Sequence, residues 1–163
     1  MPLKPEFFWP NPPALLVIVL LCLSGCATVS EKPITVAIKN PPPALKYALS
    51  LQGTPYNYGG DNPDDGFDCS GFVKHIYERQ GIKLPRRAFD MALALPVIKK
   101  DQIQSGDLVF FNMNGKPYSH VGIYLSDAQF IHAPSEHTGR VLVSTLNNSY
   151  WQRRYSGVRR PRK

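Results

Sequence analysis

Cys69 is the residue of this chain whose type and position most clearly suggest covalent chemistry. It follows Asp68, which is suited to the N-cap of a helix, and apolar residues recur behind it at helical spacing. A thiol in the first turn of a helix feels the positive end of the helix dipole and unpaired backbone N–H groups, which favour the thiolate. The same N–H groups lie where an oxyanion develops during acyl transfer. The sequence therefore predicts a nucleophile and an oxyanion donor in one helical turn.

A base for this nucleophile has to come from elsewhere in the chain, and His120 is the candidate. It alternates with apolar residues in the predicted strand 120–125, so its side chain faces away from them. His132 ends the next predicted strand, and a hairpin turning near Asp127 brings the two imidazoles within about one or two rungs of each other. An odd-length loop or a bulge places them on one face, whereas a regular even-length loop places them on opposite faces. The mechanism predicts an odd loop or a bulge.

The N-terminus resembles an export signal. Residues 14–23 form an uninterrupted apolar run, which is shorter than the roughly 18 residues of a membrane-spanning helix and has the length of a signal-peptide core. The sequence Leu-Ser-Gly-Cys that ends at Cys26 resembles the lipobox of bacterial lipoproteins, in which the cysteine is lipidated and becomes the new N-terminus. Cleavage removes Cys22 and the lipid caps Cys26, so Cys69 remains as the free thiol. A buried helix or an uncleaved membrane anchor is the alternative interpretation.

We therefore expect three segments: a signal peptide at 1–25, a flexible tether from lipidated Cys26 over 26–43, and one folded domain at 44–163. The net charge is +7, and the loss of Lys4 and Glu6 with the signal leaves it unchanged. A basic surface favours anionic partners, and export favours the membrane and the cell wall over nucleic acid. The resemblance to lipoproteins implies that Ala27, which is not Asp, directs the protein to the outer membrane in an organism that has one, with the domain facing the periplasm.

Within the domain, helical patterns come first and strand patterns follow, which predicts an α+β fold with the helices packed on one face of an antiparallel sheet. The predicted helices span residues 44–51, 69–80 and 86–95, and a loop rich in Gly, Pro, Asn and Asp spans 54–67. The predicted strands span residues 107–112, 120–125, 129–133, 140–146 and about 155–160.

Several segments resemble the NlpC family of bacterial cell-wall cysteine peptidases, which have a papain-like core. They occur in the family's order from residue 44 to the C-terminus, and they are Pro55-Tyr56-Asn57-Tyr58-Gly59-Gly60, Phe67-Asp68-Cys69-Ser70-Gly71-Phe72-Val73, Leu84-Pro85-Arg86, Gly106-Asp107-Leu108-Val109-Phe110-Phe111, His120-Val121-Gly122-Ile123-Tyr124 and Phe130-Ile131-His132-Ala133. The combination of Asp-Cys-Ser-Gly with His-Val-Gly-Ile-Tyr is specific, whereas either motif alone is moderate evidence.

The resemblance implies a papain-like fold and a catalytic triad of Cys69 as nucleophile, His120 as general base and His132 as the residue that orients it. It implies hydrolysis of a peptidoglycan stem peptide through a thioester. The bond is either the D-glutamyl–diamino acid linkage or the D-alanyl–diamino acid cross-link. The expected protein is a lipid-anchored murein endopeptidase, monomeric and without a cofactor or metal.

The resemblance also implies that the hydroxyl of Tyr56 helps to hold the oxyanion, and that Asp68 and Ser70 help to shape the substrate groove. After Arg86 the chain departs from the family's pattern, since residues 87–90 read Arg-Ala-Phe-Asp where relatives place a small hydroxyl residue and later a glutamine. Substrate contacts from that loop are therefore not carried over.

Two other classes of function fit parts of the sequence. A zinc site could be built from thiolate and imidazole, with ligands Cys69, His120, His132 and His137, although no local pair of ligands such as Cys-x-x-Cys is present. A non-catalytic module could hold peptidoglycan through its basic surface. His75 lies away from the Cys69 side of its helix and His137 falls in a polar loop, so we expect both to be solvated.

Overall fold

The computed structural model describes residues 38 and 40–162 of the 163-residue chain. Within this part the helices are α1 (Pro43–Ser50), α2 (Cys69–Glu78), α3 (Ala88–Ala94) and α4 (Ser149–Gln152). The strands are β1 (Asp61–Asn62), β2 (Gly66–Phe67), β3 (Val97–Ile98), β4 (Leu108–Met113), β5 (Lys116–Tyr124), β6 (Gln129–His132), β7 (Leu142–Thr145) and β8 (Tyr155–Arg159). The predicted signal peptide and Cys26 lie outside the described residues. No helix among the described residues is long and apolar enough to span a membrane.

An antiparallel sheet is the centre of the fold. Over residues 40–162 it has six strands in the order β3-β8-β4-β5-β6-β7, and β1 and β2 form a separate small ladder. Alternation along each strand gives the sheet two apolar faces. One face carries the larger core, which includes Leu108, Phe110 and Val121 and is shared with the first three helices. The other face carries a smaller aromatic cluster, defined by Val109, Phe111, Phe130, Trp151 and Val158. Helices on a largely antiparallel sheet confirm the α+β prediction.

Helix α2 begins at Cys69 because Asp68 caps it. The Asp68 carboxylate accepts a hydrogen bond from the Gly71 amide at 2.7 Å, as an N-cap side chain does. The rest of the helix buries one face, formed by Phe72, Val73, Ile76 and Tyr77. A Cβ on Gly71 would collide with the carbonyl oxygen of Gly60, so the first turn packs directly on the preceding loop. The position of Cys69 is therefore set by backbone contact as well as by the cap.

The element boundaries differ from the predictions at several points. Helix α1 includes Pro43, which was assigned to the tether, and the loop 54–67 contains the two-residue strands β1 and β2. Helix α3 starts at Ala88 because Arg87 before it is extended, with φ −97° and ψ 142°. Strand β5 starts at Lys116 rather than at residue 120 and passes an irregularity opposite β4. Strand β3 and helix α4 were not predicted.

Candidate active site

The register of the β5–β6 hairpin decides whether the two candidate histidines share a face. Ile123 pairs with Ile131, so paired residue numbers sum to an even value. In this register His132 lies opposite Gly122, and His120 is its diagonal neighbour on the same face. His120 Nε2 and His132 Nδ1 are 2.7 Å apart. This register confirms the prediction that an odd-length loop or a bulge keeps both histidines on one face.

The connection itself explains that register. The Leu125 amide donates to the Gln129 carbonyl at 2.9 Å, and three residues, Ser126, Asp127 and Ala128, lie between them. Asp127 and Ala128 have φ of 48° and 61°, the left-handed pair typical of a tight hairpin turn. Three residues between paired positions keep His120 and His132 on one face of the sheet.

Gly122 is the position over which His132 crosses towards β5. A Cβ there would lie 2.7 Å from Phe130 Cδ2 and 3.1 Å from His132 Cβ. Both distances are below ordinary van der Waals contact, so a side chain at Gly122 would displace His132 or Phe130. Close packing of His132 and Phe130 therefore requires a glycine at the third position of the His-Val-Gly segment.

A serine that the sequence analysis did not select contacts the second histidine. Ser144 Oγ lies 2.9 Å from His132 Nε2. Strand β7 pairs Leu142 with His132, so Ser144 is again a diagonal neighbour. We call His120, His132 and Ser144 the polar row, since it crosses strands β5, β6 and β7 on one face of the sheet. A serine in a strand carries no sequence signal of its own, and only the β6–β7 register reveals it.

The polar row is enclosed by aromatic rings. Trp151 of α4 stacks on His120 with ring centroids 5.5 Å apart and packs edge-on against His132 at 4.9 Å. Phe111 and Phe130 lie 6.0 Å from His120 and 4.6 Å from His132, measured between ring centroids. Both imidazoles are buried. Trp151 was also missed, and the available signal was Asn148 as an N-cap before a short aromatic segment.

Cys69 is partly exposed at the start of α2, and its sulfur lies near the backbone of the residue that follows His120. The backbone amides of Val121 and Ser70 both stabilise the thiolate. Burial, followed by the charge of Asp68, outweighs them and raises the pKa of the Cys69 thiol to about 11. The expected lowering of this pKa is therefore wrong, because desolvation exceeds the effect of the helix N-terminus.

The histidines are shifted in the opposite direction, since burial disfavours their charged forms. Burial lowers the pKa of His120 to about 4, against the charge of Asp68, which raises it. Burial, and then the charge of His120, lowers the pKa of His132 well below its ordinary value. At neutral pH the resting site thus holds a neutral thiol and neutral imidazoles. Because His120 Nε2 faces His132, Nδ1 is the His120 nitrogen left for a further partner.

Asp68 does more than cap the helix. Its carboxylate accepts two hydrogen bonds from Arg86, at 2.9 and 2.7 Å, and further ones from the Gly59 amide and the Ser70 hydroxyl. Arg86 also donates to Ser70 Oγ at 3.0 Å. Burial alone would raise the pKa of Asp68, but Arg86 and the Gly71 amide lower it below its usual range. Asp68 is therefore an anion held against a cation beside Cys69.

Tyr56 lies within electrostatic reach of this cluster. Its backbone bridges Phe67 of β2, two residues before Cys69. Burial, with the charges of Cys69 and Asp68 next in size, raises the pKa of Tyr56 to about 12. The phenol therefore stays protonated at neutral pH and keeps a hydrogen to donate.

The two remaining histidines, His75 and His137, differ in their exposure. His137 is exposed, as expected. His75 is half-buried rather than solvated, with Nε2 at 3.0 Å from the Tyr47 hydroxyl and its ring against Phe67. Across the described residues no three His, Cys, Asp or Glu side chains are grouped as metal ligands. Both ring nitrogens of His132 already have protein partners, which argues against a zinc site at this position.

A cysteine at the start of a helix, beside a histidine on an antiparallel sheet, defines the class of papain-like proteins. The NlpC/P60 family model matches residues 53–160. The chain belongs to this family. Its fold matches solved members, among them an NlpC/P60 family protein from Bacillus cereus, with 32% sequence identity, a TM-score of 0.68, and coverage of 72% of this chain and 39% of that one.

Similar proteins of named activity occur in several bacteria. The chain is 41% identical over 123 residues to the murein DD-endopeptidase MepH of Escherichia coli K12, covering 72% of this chain and 44% of that protein. It is 40% identical over 110 residues to the bifunctional muramidase/DL-endopeptidase CwlT of Bacillus subtilis 168, covering 66% and 32%. It thus spans less than half of these two relatives. Over 152 residues it is 37% identical to the probable endopeptidase NlpC of E. coli K12, covering 90% and 97%.

Proposed function

We propose that this protein is a cysteine peptidase that hydrolyses peptide bonds in peptidoglycan stem peptides. The observation that carries the proposal is the 2.7 Å contact between His120 Nε2 and His132 Nδ1, which leaves His120 Nδ1 for Cys69 at the start of α2. A nucleophile, a base and an orienting group in this arrangement are the parts that acyl transfer needs. The names of MepH, CwlT and NlpC support an endopeptidase, and the first two support a murein substrate.

The reaction starts from a neutral pair, so proton transfer accompanies attack. His120 Nδ1 takes the thiol proton as the Cys69 sulfur bonds to the peptide carbonyl carbon. The N-terminal amides of α2 and the Tyr56 hydroxyl donate to the oxyanion. The carbon–nitrogen bond then breaks, and His120 returns the proton to the leaving amine. Water, deprotonated by His120, hydrolyses the thioester and restores the thiol.

The test is digestion of purified sacculi by the full chain, with the released fragments identified by mass. We expect wild type to release stem-peptide fragments and Cys69→Ala to release none while still folding. A folded Cys69→Ala variant that released the same fragments as wild type would refute the proposal that the protein is a cysteine peptidase. Co-sedimentation of both proteins with intact sacculi tests the non-catalytic binding module, which predicts equal binding and no fragments from either.

Two bonds remain candidates, and the same digest separates them. Cleavage of the D-alanyl–diamino acid cross-link converts cross-linked dimers into monomers without shortening the stem. Cleavage of the D-glutamyl–diamino acid bond shortens the stem itself. The relatives MepH and CwlT are named for DD- and DL-endopeptidase activity respectively, so the proposal includes both bonds.

We place the protein in the cell envelope, attached through lipid on Cys26 to a membrane, the outer one in an organism that has two. The support is the apolar run 14–23 followed by Leu-Ser-Gly-Cys. Radiolabelled palmitate should appear in wild type and be absent from Cys26→Ala. Equal labelling of both proteins, or wild type released into the soluble fraction, would contradict this location.

A further inference from the structure

The polar row poses a question of proton placement that the proposed triad leaves open. A neutral imidazole carries one N–H, on either Nδ1 or Nε2, and each nitrogen is then a donor or an acceptor. His120 Nε2 faces His132 Nδ1, so one of these two nitrogens carries a hydrogen and the other does not. His132 Nε2 faces Ser144 Oγ, and this hydroxyl can either donate or accept.

The two arrangements have opposite consequences for the base. If Ser144 donates to His132 Nε2, then His132 Nδ1 carries the hydrogen and donates to His120 Nε2. His120 Nδ1 then carries a hydrogen too and has no lone pair for the thiol proton. If Ser144 accepts from His132 Nε2–H, then His132 Nδ1 accepts from His120 Nε2–H. His120 Nδ1 is then unprotonated and competent as a base.

We propose that Ser144 is a positioning residue: it accepts the His132 Nε2–H and thereby fixes both tautomers so that His120 presents an unprotonated Nδ1 to Cys69. This inference rests on the proposed function, since it assigns a role within that mechanism. It adds to the triad a fourth group that does not touch the substrate.

The state in which His120 is protonated supports the same direction of the hydrogen bond, from His132 Nε2–H to Ser144. Once His120 has taken the thiol proton, both of its nitrogens are donors, so His132 Nδ1 has to accept. The single hydrogen of His132 is then on Nε2, where Ser144 is its partner at 2.9 Å. His132 is fully buried, and a buried N–H without an acceptor is costly. Ser144 thus supports the arrangement that the reaction needs before and after proton transfer.

The surroundings of Ser144 leave it able to accept. Ser144 is half-buried and borders a cavity of about 200 Å³ that is also lined by Gln129, Thr145, Asn148 and Trp151. Its own hydroxyl hydrogen can therefore turn towards polar groups or solvent on that side, while its lone pair faces His132. The hydroxyl of a serine rotates freely enough to do both.

The matched variants Ser144→Thr and Ser144→Val have nearly the same shape and differ in one hydroxyl, and Ser144→Ala removes the group. We expect Ser144→Val and Ser144→Ala to lose about tenfold in kcat with little change in KM, as for one hydrogen bond that keeps the base competent without contacting the substrate. Ser144→Thr should stay within about threefold of wild type. A Thr variant as slow as the Val variant would overturn the role of the hydroxyl.

Nitrogen NMR of histidine-labelled protein supplies a readout that a structural role would not change. Wild type and Ser144→Thr should show His120 and His132 as Nε2–H tautomers at neutral pH, and Ser144→Val should show a mixture of tautomers. Unchanged tautomers in Ser144→Val would overturn the proposal even if its kcat fell. The spectrum needs no turnover, so a protein without peptidase activity would refute the proposed function while the tautomers still decide the Ser144 contact.

Discussion

Two adjacent arginines each form a two-pronged ion pair with an aspartate, and only the first lies at the site. Arg86 binds Asp68, whose side chain is 13% exposed, whereas Arg87 binds Asp90 with its own side chain 76% exposed. We predict that Arg86→Met lowers the free energy of unfolding by about 2–3 kcal/mol. The control Arg87→Met should leave it nearly unchanged, because water screens that exposed pair.

The magnitude follows from what Asp68 loses. Removing one partner of a fully buried pair costs about 3–5 kcal/mol, because the other charge is left unpaired. The Arg86 side chain is 35% exposed, so water screens part of the interaction. Asp68 also keeps its hydrogen bonds from the Gly71 and Gly59 amides and from Ser70. The expected loss is therefore smaller than for a fully buried pair.

The same change should slow the reaction of Cys69 with an alkylating agent. The charge of Asp68 raises the pKa of the Cys69 thiol, and Arg86 partly offsets that charge. Without the guanidinium the thiol pKa rises further, and alkylation at a fixed pH near 8 should slow by roughly threefold to tenfold. Arg87→Met should react like wild type.

The assays are urea unfolding and the mass of the peptide that contains Cys69 after timed treatment with iodoacetamide. Following that peptide separates Cys69 from Cys22 and Cys26. Equal stability of Arg86→Met and Arg87→Met would refute a stabilising ion pair at Asp68. Alkylation of the Arg86 variant as fast as wild type would show that Asp68 has no uncompensated charge near the sulfur.

Four further predictions follow from the same geometry. Gly122→Ala should cost about 1–3 kcal/mol in unfolding and reduce activity, because its Cβ displaces His132; unchanged stability and activity would contradict this packing. The acid limb of kcat/KM should fall near pH 4, the pKa of buried His120, and a limb near 6.5 would refute a neutral buried base. Because the folded pKa lies below the unfolded one, the stability that His120 contributes is full above pH 6.5 and is lost as the pH falls through about 4. Trp151→Leu should lower the free energy of unfolding by roughly 2–4 kcal/mol. It should also move the acid limb of kcat/KM towards pH 6.5, because water would reach the His120 imidazole. An unmoved acid limb would mean that Trp151 does not exclude water.

The sequence predicted the elements that are long enough to show a periodic pattern of apolar residues. The apolar spacing after Cys69 and the cap at Asp68 predicted α2 to within two residues at its C-terminal end. Strand β3, in contrast, has two residues and exists through its pairing with β8. Helix α4 is a single turn, too short for a periodic pattern to be visible. These short elements depend on tertiary contacts that no local pattern contains.

The residues of the site also fall into two groups: those that the sequence reveals and those that only tertiary contacts reveal. Cys69, His120 and His132 were selected from the sequence because motifs and strand alternation identify them. The contact of the two histidines depends on the loop between their strands, and the sequence predicts only that an odd-length loop or a bulge permits it. Ser144 and Trp151 reach the imidazoles across strands and from α4, so their roles follow from register and packing. The predicted lowering of the Cys69 pKa is wrong because the burial of the sulfur, which raises this pKa, depends on tertiary packing.

The charge of Asp68 acts on the two reacting groups in opposite senses, and Arg86 resolves this conflict. A negative charge beside the site favours protonated His120 and disfavours the Cys69 thiolate. After attack the sulfur is bonded to carbon and its charge has moved to the oxyanion, while the imidazolium remains. In the proposed mechanism Asp68 therefore stabilises the imidazolium of His120, and Arg86 reduces the repulsion between Asp68 and the negative charge that develops on sulfur and oxygen during attack. A pair of opposite charges suits a transition state that carries both a developing imidazolium and a developing oxyanion better than an isolated aspartate would.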